Sequence, residues 1–279
     1  MSSQGLGDMA MPYELSVPLG VRQRPPLVVV HGLASESRAV ASAFRPFAAR
    51  QGRPLLVPDF QRPRFKGYQR LAGDRGPLEA AGALNAAMSR AAAESGLDFD
   101  RVDLVGFSGG AQFAHRYAML FPHRVRRVVT AGAGWYTYLD PARPFPVGSA
   151  ACDMSGGNPV EADRFLAIPL RIMVGEDDVR RDARLRTGDA IDSEQGSHRL
   201  ARALRWFEHL TVQARIRDVA PRVSFELLPR TGHSFRRAME VGGLGERTVA
   251  FLEADADEAL PQYREHVEWG SLDSPENLV

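Results

Sequence analysis

Short apolar runs rich in valine alternate along this chain with longer segments of helical periodicity. Residues 27–30 are apolar throughout and bounded by Pro25-Pro26 and His31-Gly32, which predicts a buried strand ending in a turn. Residues 39–51 have the spacing and composition of a helix. Residues 55–57 repeat the apolar run before Pro58, and residues 77–94 are Ala-rich with a proline near the start, where helices accept one. Further strands are expected at 101–107, 125–130, 170–174 and 223–228, with helices at about 111–121 and 199–216. Strands and helices in succession imply parallel strands joined by crossover helices. The expected fold is therefore α/β: a doubly wound, mostly parallel sheet with helices on both faces, as a single domain over residues 1–279.

Two stretches break the alternation. Residues 132–168 carry Trp135, Tyr136, Tyr138, Phe145 and Phe165 among several prolines and glycines, which reads either as a lid or pocket wall over the strand ends or as a packed surface excursion. Residues 180–195 are rich in Arg and Asp and read as a solvated loop leading into the following helix. After Ala254 the chain ends in an acidic tail, residues 255–279, with no chemistry of its own.

Composition narrows the function classes. Of 279 residues, 44% are hydrophobic and 25% charged, the balance of a globular protein with a sizeable core. Lys and Arg total 35 against 34 Asp and Glu, so nothing electrostatic calls for nucleic acid or an anionic membrane as partner. The basic residues are almost all arginine, Lys66 being the sole lysine. Cys152 is the single cysteine, which excludes an intrachain disulfide and a thiolate cluster for metal, and no histidine pair has ligand spacing. The start of the chain is polar and Gly-rich, without a secretory pattern, and the apolar runs are too short to span a membrane, so a cytoplasmic location is expected.

The chemistry centres on Gly106-Phe107-Ser108-Gly109-Gly110, a Gly-x-Ser-x-Gly string with a strand pattern entering and a helix pattern leaving. A serine at such a sharp turn needs small neighbours, because side chains flanking it would collide with the strand and helix packed around it. A serine hydroxyl is a poor nucleophile at neutral pH, so a base must take its proton and a carboxylate should orient that base. The strand at 170–174 runs into Gly175-Glu176-Asp177-Asp178, which places three candidate carboxylates at a strand tip. After the strand at 223–228 comes Thr231-Gly232-His233, a histidine just past a strand end, where the catalytic groups of open α/β sheets gather. His115, His123, His198, His209 and His266 lie in helical or polar surroundings and read as packing or surface residues.

Together, His31-Gly32 after a valine strand, the Ser108 elbow, Gly175-x-x-Asp178 and Gly232-His233 resemble the ordered signatures of the α/β-hydrolase superfamily, over roughly residues 26–252. The resemblance implies a Ser108–His233–Asp178 triad working without a cofactor or metal, with Asp178 favoured over Asp177 and Glu176 by its spacing from the turn glycine. It also implies an oxyanion hole of the Leu33 and Gly109 backbone N–H groups, with His31 bracing the loop and not acting as base. The expected activity is hydrolysis of a carboxylic ester or related acyl bond of a small-molecule substrate through an acyl-enzyme. Acyl transfer, thioester hydrolysis and a catalytically weak ligand-binding protein use the same signatures. Leu33-Ala34 replaces the three-glycine oxyanion loop associated with bulky tertiary-alcohol esters, and Pro58-Asp59-Phe60 through Tyr68-Gln69 is similar to the esterase and polyhydroxyalkanoate-depolymerase-like branch. The aromatics of 132–168, with Phe60 and Phe235, are expected to wall an apolar substrate pocket.

Overall fold

A computed structural model of the protein describes residues 10–61 and 63–254, so the acidic tail at 255–279 lies outside the described residues. The described strands are β1 (Tyr13–Ser16), β2 (Leu27–Val30), β3 (Leu55–Pro58), β4 (Val102–Phe107), β5 (Val125–Ala131), β6 (Leu170–Gly175) and β7 (Val223–Leu228). Between and after them run α1 (Ser37–Gln51), α2 (Glu79–Ser95), α3 (Gly109–Leu120), α4 (Ala162–Leu166), α5 (Asp189–Gln195), α6 (Arg199–Ile216), α7 (Phe235–Glu240) and α8 (Leu244–Glu253). They form one seven-stranded sheet in the order β1-β3-β2-β4-β5-β6-β7, parallel except for β1, which pairs antiparallel with β3.

The continuous apolar runs are explained by burial on both faces. Successive residues of a strand point to opposite sides. Val28 and Val30 of β2, with Leu104, Val128 and Ile172, pack against α2, α3 and α6. Leu27 and Val29, with Val105, Val129 and Met173, pack against Val40 and Phe44 of α1 and Leu244 and Phe251 of α8.

The strand order positions the chemistry. From β2 the chain steps outward to β3 and then returns to place β4 on the other flank of β2. The loops leaving the carboxyl ends of β2 and β4 therefore diverge around a crevice, the usual location of ligand sites in open α/β sheets.

In two stretches the structure adds to the sequence expectation. Residues 180–195 are not loop throughout: α5 occupies Asp189–Gln195, with Ile191 and Gln195 buried, and Gln195 accepts the Tyr136 N–H and donates to the Tyr136 carbonyl. Of the aromatics in 132–168, Tyr136, Phe145 and Phe165 are buried core residues, and the Tyr136 ring stacks on Trp206 of α6 at 4.4 Å. Their apolar area is used in packing the segment down. Among the described residues, no helix is long and apolar enough to cross a membrane, and no cluster of three His, Cys, Asp or Glu side chains is arranged to hold a metal ion.

Candidate active site

Ser108 occupies the turn between β4 and α3 with φ 54° and ψ −114°, a conformation that side-chain-bearing residues rarely adopt. Its N–H donates to the Ala131 carbonyl at 2.8 Å, tying the turn to the neighbouring strand. The flanking glycines are required by close approach. A Cβ on Gly106 would lie 2.1 Å from the Gly110 carbonyl oxygen, and one on Gly110 would lie 2.0 Å from that of Val30.

The three side chains far apart in sequence meet here. Ser108 Oγ is 2.9 Å from His233 Nε2, and His233 Nδ1 is 2.8 Å from Asp178 Oδ2. An Nδ1–H donated to the carboxylate leaves Nε2 as an acceptor for the serine hydroxyl. His233 leaves the end of β7, and its ring stacks against Phe107 at 5.4 Å between centroids. Asp178, 2% exposed, follows β6 in a tight turn closed by its N–H on the Gly175 carbonyl. The other two acids face elsewhere: Glu176 accepts the Arg230 backbone N–H, and Asp177 is fixed through its own N–H on the Thr231 carbonyl.

Loop 31–33 reaches the same point from β2. A Cβ on Gly32 would stand 3.3 Å from Ser108 Cβ, and one on Gly109 would stand 3.4 Å from the Leu33 nitrogen. Gly109 begins α3, so its N–H has no acceptor within the helix. His31 is buried and stands apart from the serine relay: Nε2 accepts the Phe60 N–H at 3.1 Å, and Tyr68 donates to the His31 carbonyl at 2.8 Å. Burial pushes the His31 pKa down, consistent with a neutral ring that braces the loop.

Ser108 and His233 open onto a cleft of about 450 Å³ walled by Leu33, Phe107, Gln112 and Phe235. Phe60 lines a neighbouring depression, beside Tyr68 and Glu14, while Phe235 lines the cleft over Ser108 and Trp135 lines a cleft beside it. The sequence reading missed Arg184, Arg199 and Gln112. Arg184 lines the cleft from within the stretch read as solvated loop, and the density of arginine directly after the Asp178 turn was its only signal.

The sequence model of the alpha/beta hydrolase fold family matches residues 25–166. Among solved structures, the chain is similar to the poly(3-hydroxybutyrate) depolymerase LpqC of Bordetella parapertussis, with 25% identity, a TM-score of 0.69, and 90% of this chain and 85% of that one covered. It is similar in fold to poly(aspartic acid) hydrolase-1 of Sphingomonas sp. KT-1, with 23% identity, a TM-score of 0.70, and 86% and 92% covered. A fluorophosphonate-binding serine hydrolase of Staphylococcus aureus, FphF, is a more distant fold neighbour at 12% identity and a TM-score of 0.53, with 88% and 93% covered. No curated protein sequence matches the chain.

Proposed function

Since the chain belongs to the α/β-hydrolase fold family, we propose that it is a serine hydrolase cleaving a carboxylic ester, with Ser108 as nucleophile, His233 as general base and Asp178 as the group that orients the base. The observation that carries this reading is the unbroken relay from Ser108 Oγ to His233 Nε2 at 2.9 Å and from His233 Nδ1 to Asp178 Oδ2 at 2.8 Å. The likeness to a protein named as a poly(3-hydroxybutyrate) depolymerase favours an ester over other acyl bonds.

His233 takes the Ser108 proton as Oγ attacks the acyl carbonyl, and buried Asp178 stabilises the imidazolium that forms. The Leu33 and Gly109 N–H groups donate to the carbonyl oxygen as it becomes an oxyanion, with the N-terminus of α3 adding its partial positive charge. His233 then gives its proton to the leaving alcohol. Water deprotonated by the same imidazole opens the acyl-enzyme, releasing the acid and restoring the serine.

The test is turnover of a short p-nitrophenyl ester, together with labelling by a fluorophosphonate probe. Ser108→Ala should lower kcat by at least ~10³-fold and abolish labelling while thermal unfolding stays cooperative. Retention of most of the wild-type rate in that variant would end the proposal.

A further inference from the structure

Beside the cleft over Ser108 lies a second cleft of about 700 Å³, and the two share Leu33, Gln112, Gly134 and Arg184 as walls. Its lining includes Arg70, Arg184 and Arg186 but no Asp or Glu. All three arginines are exposed, and among the described residues none forms an ion pair. Several other arginines are matched with carboxylates, Arg171 with Glu226, Arg199 with Asp182 and Arg202 with Asp192.

A fourth arginine stands behind this wall. Arg116 of α3 is fully buried, yet its partners are all neutral: Thr137 Oγ1 at 3.0 Å, the Gln69 carbonyl at 2.6 Å and Gln112 Oε1 at 3.3 Å. Its Nη2 has no partner. Trp135, in the cleft wall, takes two guanidiniums against its ring, Arg116 at 3.9 Å and Arg186 at 4.8 Å. Burial, and then the charges of Arg70 and Arg186, push the Arg116 pKa down, as expected where cations gather without a counter-charge. Concentrating positive charge in a partly desolvated cleft is unfavourable unless an anion fills it. Guanidinium forks also match the two oxygens of a carboxylate or phosphate.

Taking Ser108 as the nucleophile, we infer that this cleft receives an anionic oxygen group, a carboxylate or phosphate, carried by the substrate, so that the enzyme selects anionic esters over neutral ones. Gln112 connects the two clefts physically. It lines both, its backbone N–H is bonded to the Ser108 carbonyl, and its side chain holds Arg116. The anion site therefore begins one helical turn from the nucleophile.

The test compares kcat/KM for p-nitrophenyl hydrogen adipate and p-nitrophenyl hexanoate, which differ by the terminal carboxylate. It also compares 3-carboxy-4-nitrophenyl hexanoate, which carries the charge on the leaving group. One of the two anionic esters should be preferred by ~10-fold or more, and the preference should drop by about that factor in Arg70→Gln/Arg186→Gln while Arg70→Lys/Arg186→Lys keeps part of it. An active enzyme that favours neither anionic ester, or a preference untouched by the Gln pair, overturns the inference and leaves the hydrolase reading standing. If no ester is turned over, the hydrolase reading falls, and calorimetric titration of the wild type with adipate and with inorganic phosphate still decides the anion site. Binding that disappears in the Gln pair supports it, and the anion that binds identifies the group; no binding of either overturns it.

Discussion

Arg199 Nη1 sits 3.5 Å from Asp178 Oδ1, so the carboxylate that holds His233 with one oxygen faces a buried guanidinium with the other. The same guanidinium grips Asp182 with two nitrogens at 2.8 and 3.1 Å. Burial alone would raise the Asp182 pKa, but the hydrogen bonds from Arg199 and the Arg184 N–H outweigh it and hold the pKa down to about 2. Arg199 thus ties the Asp178 turn to the loop that carries Arg184, and α6 anchors both.

The consequence is a positioning role for Arg199. Arg199→Leu should destabilise the protein by about 1–3 kcal/mol, since it leaves Asp178 buried with one oxygen uncompensated while Asp182 can turn to solvent. It should also lower kcat more than it raises KM, because Asp178 loses the contact that fixes its rotamer. Urea unfolding and steady-state kinetics measure the two effects. A stability loss with unchanged kcat would confine Arg199 to a structural role.

Strain at Ser108 predicts a trade-off between stability and activity. Ser108 has φ 54° and ψ −114°, where glycine is at ease and alanine is not. Ser108→Gly should therefore be more stable than Ser108→Ala by ~1 kcal/mol, though both are inactive. Equal unfolding midpoints with equal m-values would show that the turn stores no strain.

The glycines around Ser108 act by contact, and one methyl group tests this. With Val30 O only 2.0 Å from a Cβ at position 110, Gly110→Ala must push α3 away from β2. The expected cost is about 3 kcal/mol or more, together with loss of activity. Gly82→Ala is the control, since a Cβ at Gly82 in α2 meets nothing within 4 Å; helix propensity alone should make it neutral or stabilising. Comparable stability losses in the two variants would refute the steric account.

The sheet was legible in the sequence because β2 is an apolar run and β4 and β7 are mostly apolar segments, each bounded by turn residues, with β2 and β7 starting and ending where the pattern does. Strand β1 was not, because its apolar-polar alternation lasts only four residues, Tyr13, Glu14, Leu15 and Ser16, all half-buried at the sheet edge. Ser108, His233 and the Gly175 turn were legible because each sits at a strand tip next to a glycine. What separates Asp178 from Asp177 and Glu176 is the direction each side chain takes from the turn, set by backbone bonds to Gly175, Thr231 and Leu228. Arg199 and Arg116 had no sequence signal, since an arginine among many arginines acquires meaning only from the partner that the fold brings to it.

Buried neutral histidines predict how stability responds to acid. His209 Nε2 accepts the Leu139 N–H at 2.9 Å, and burial pulls its pKa from 6.5 down to about 4. His115 is driven well below its ordinary value by burial and then by the charge of Arg116, while its Nε2 accepts the Thr137 N–H. Between the folded and unfolded pKa values the unfolded chain binds more protons than the native one, so stability rises with pH across that window and is lost as pH falls. For His209 the window runs from 6.5 down to about 4, and its contribution there amounts to roughly 3 kcal/mol. His209→Gln keeps an oxygen able to accept from Leu139 but does not titrate. Urea unfolding from pH 7 to pH 4.5 should therefore show a shallower decline in the variant, with the gap between the two proteins narrowing or reversing as acid is added. Parallel pH profiles would mean that the His209 pKa is the same in the folded and unfolded chains and would overturn this account.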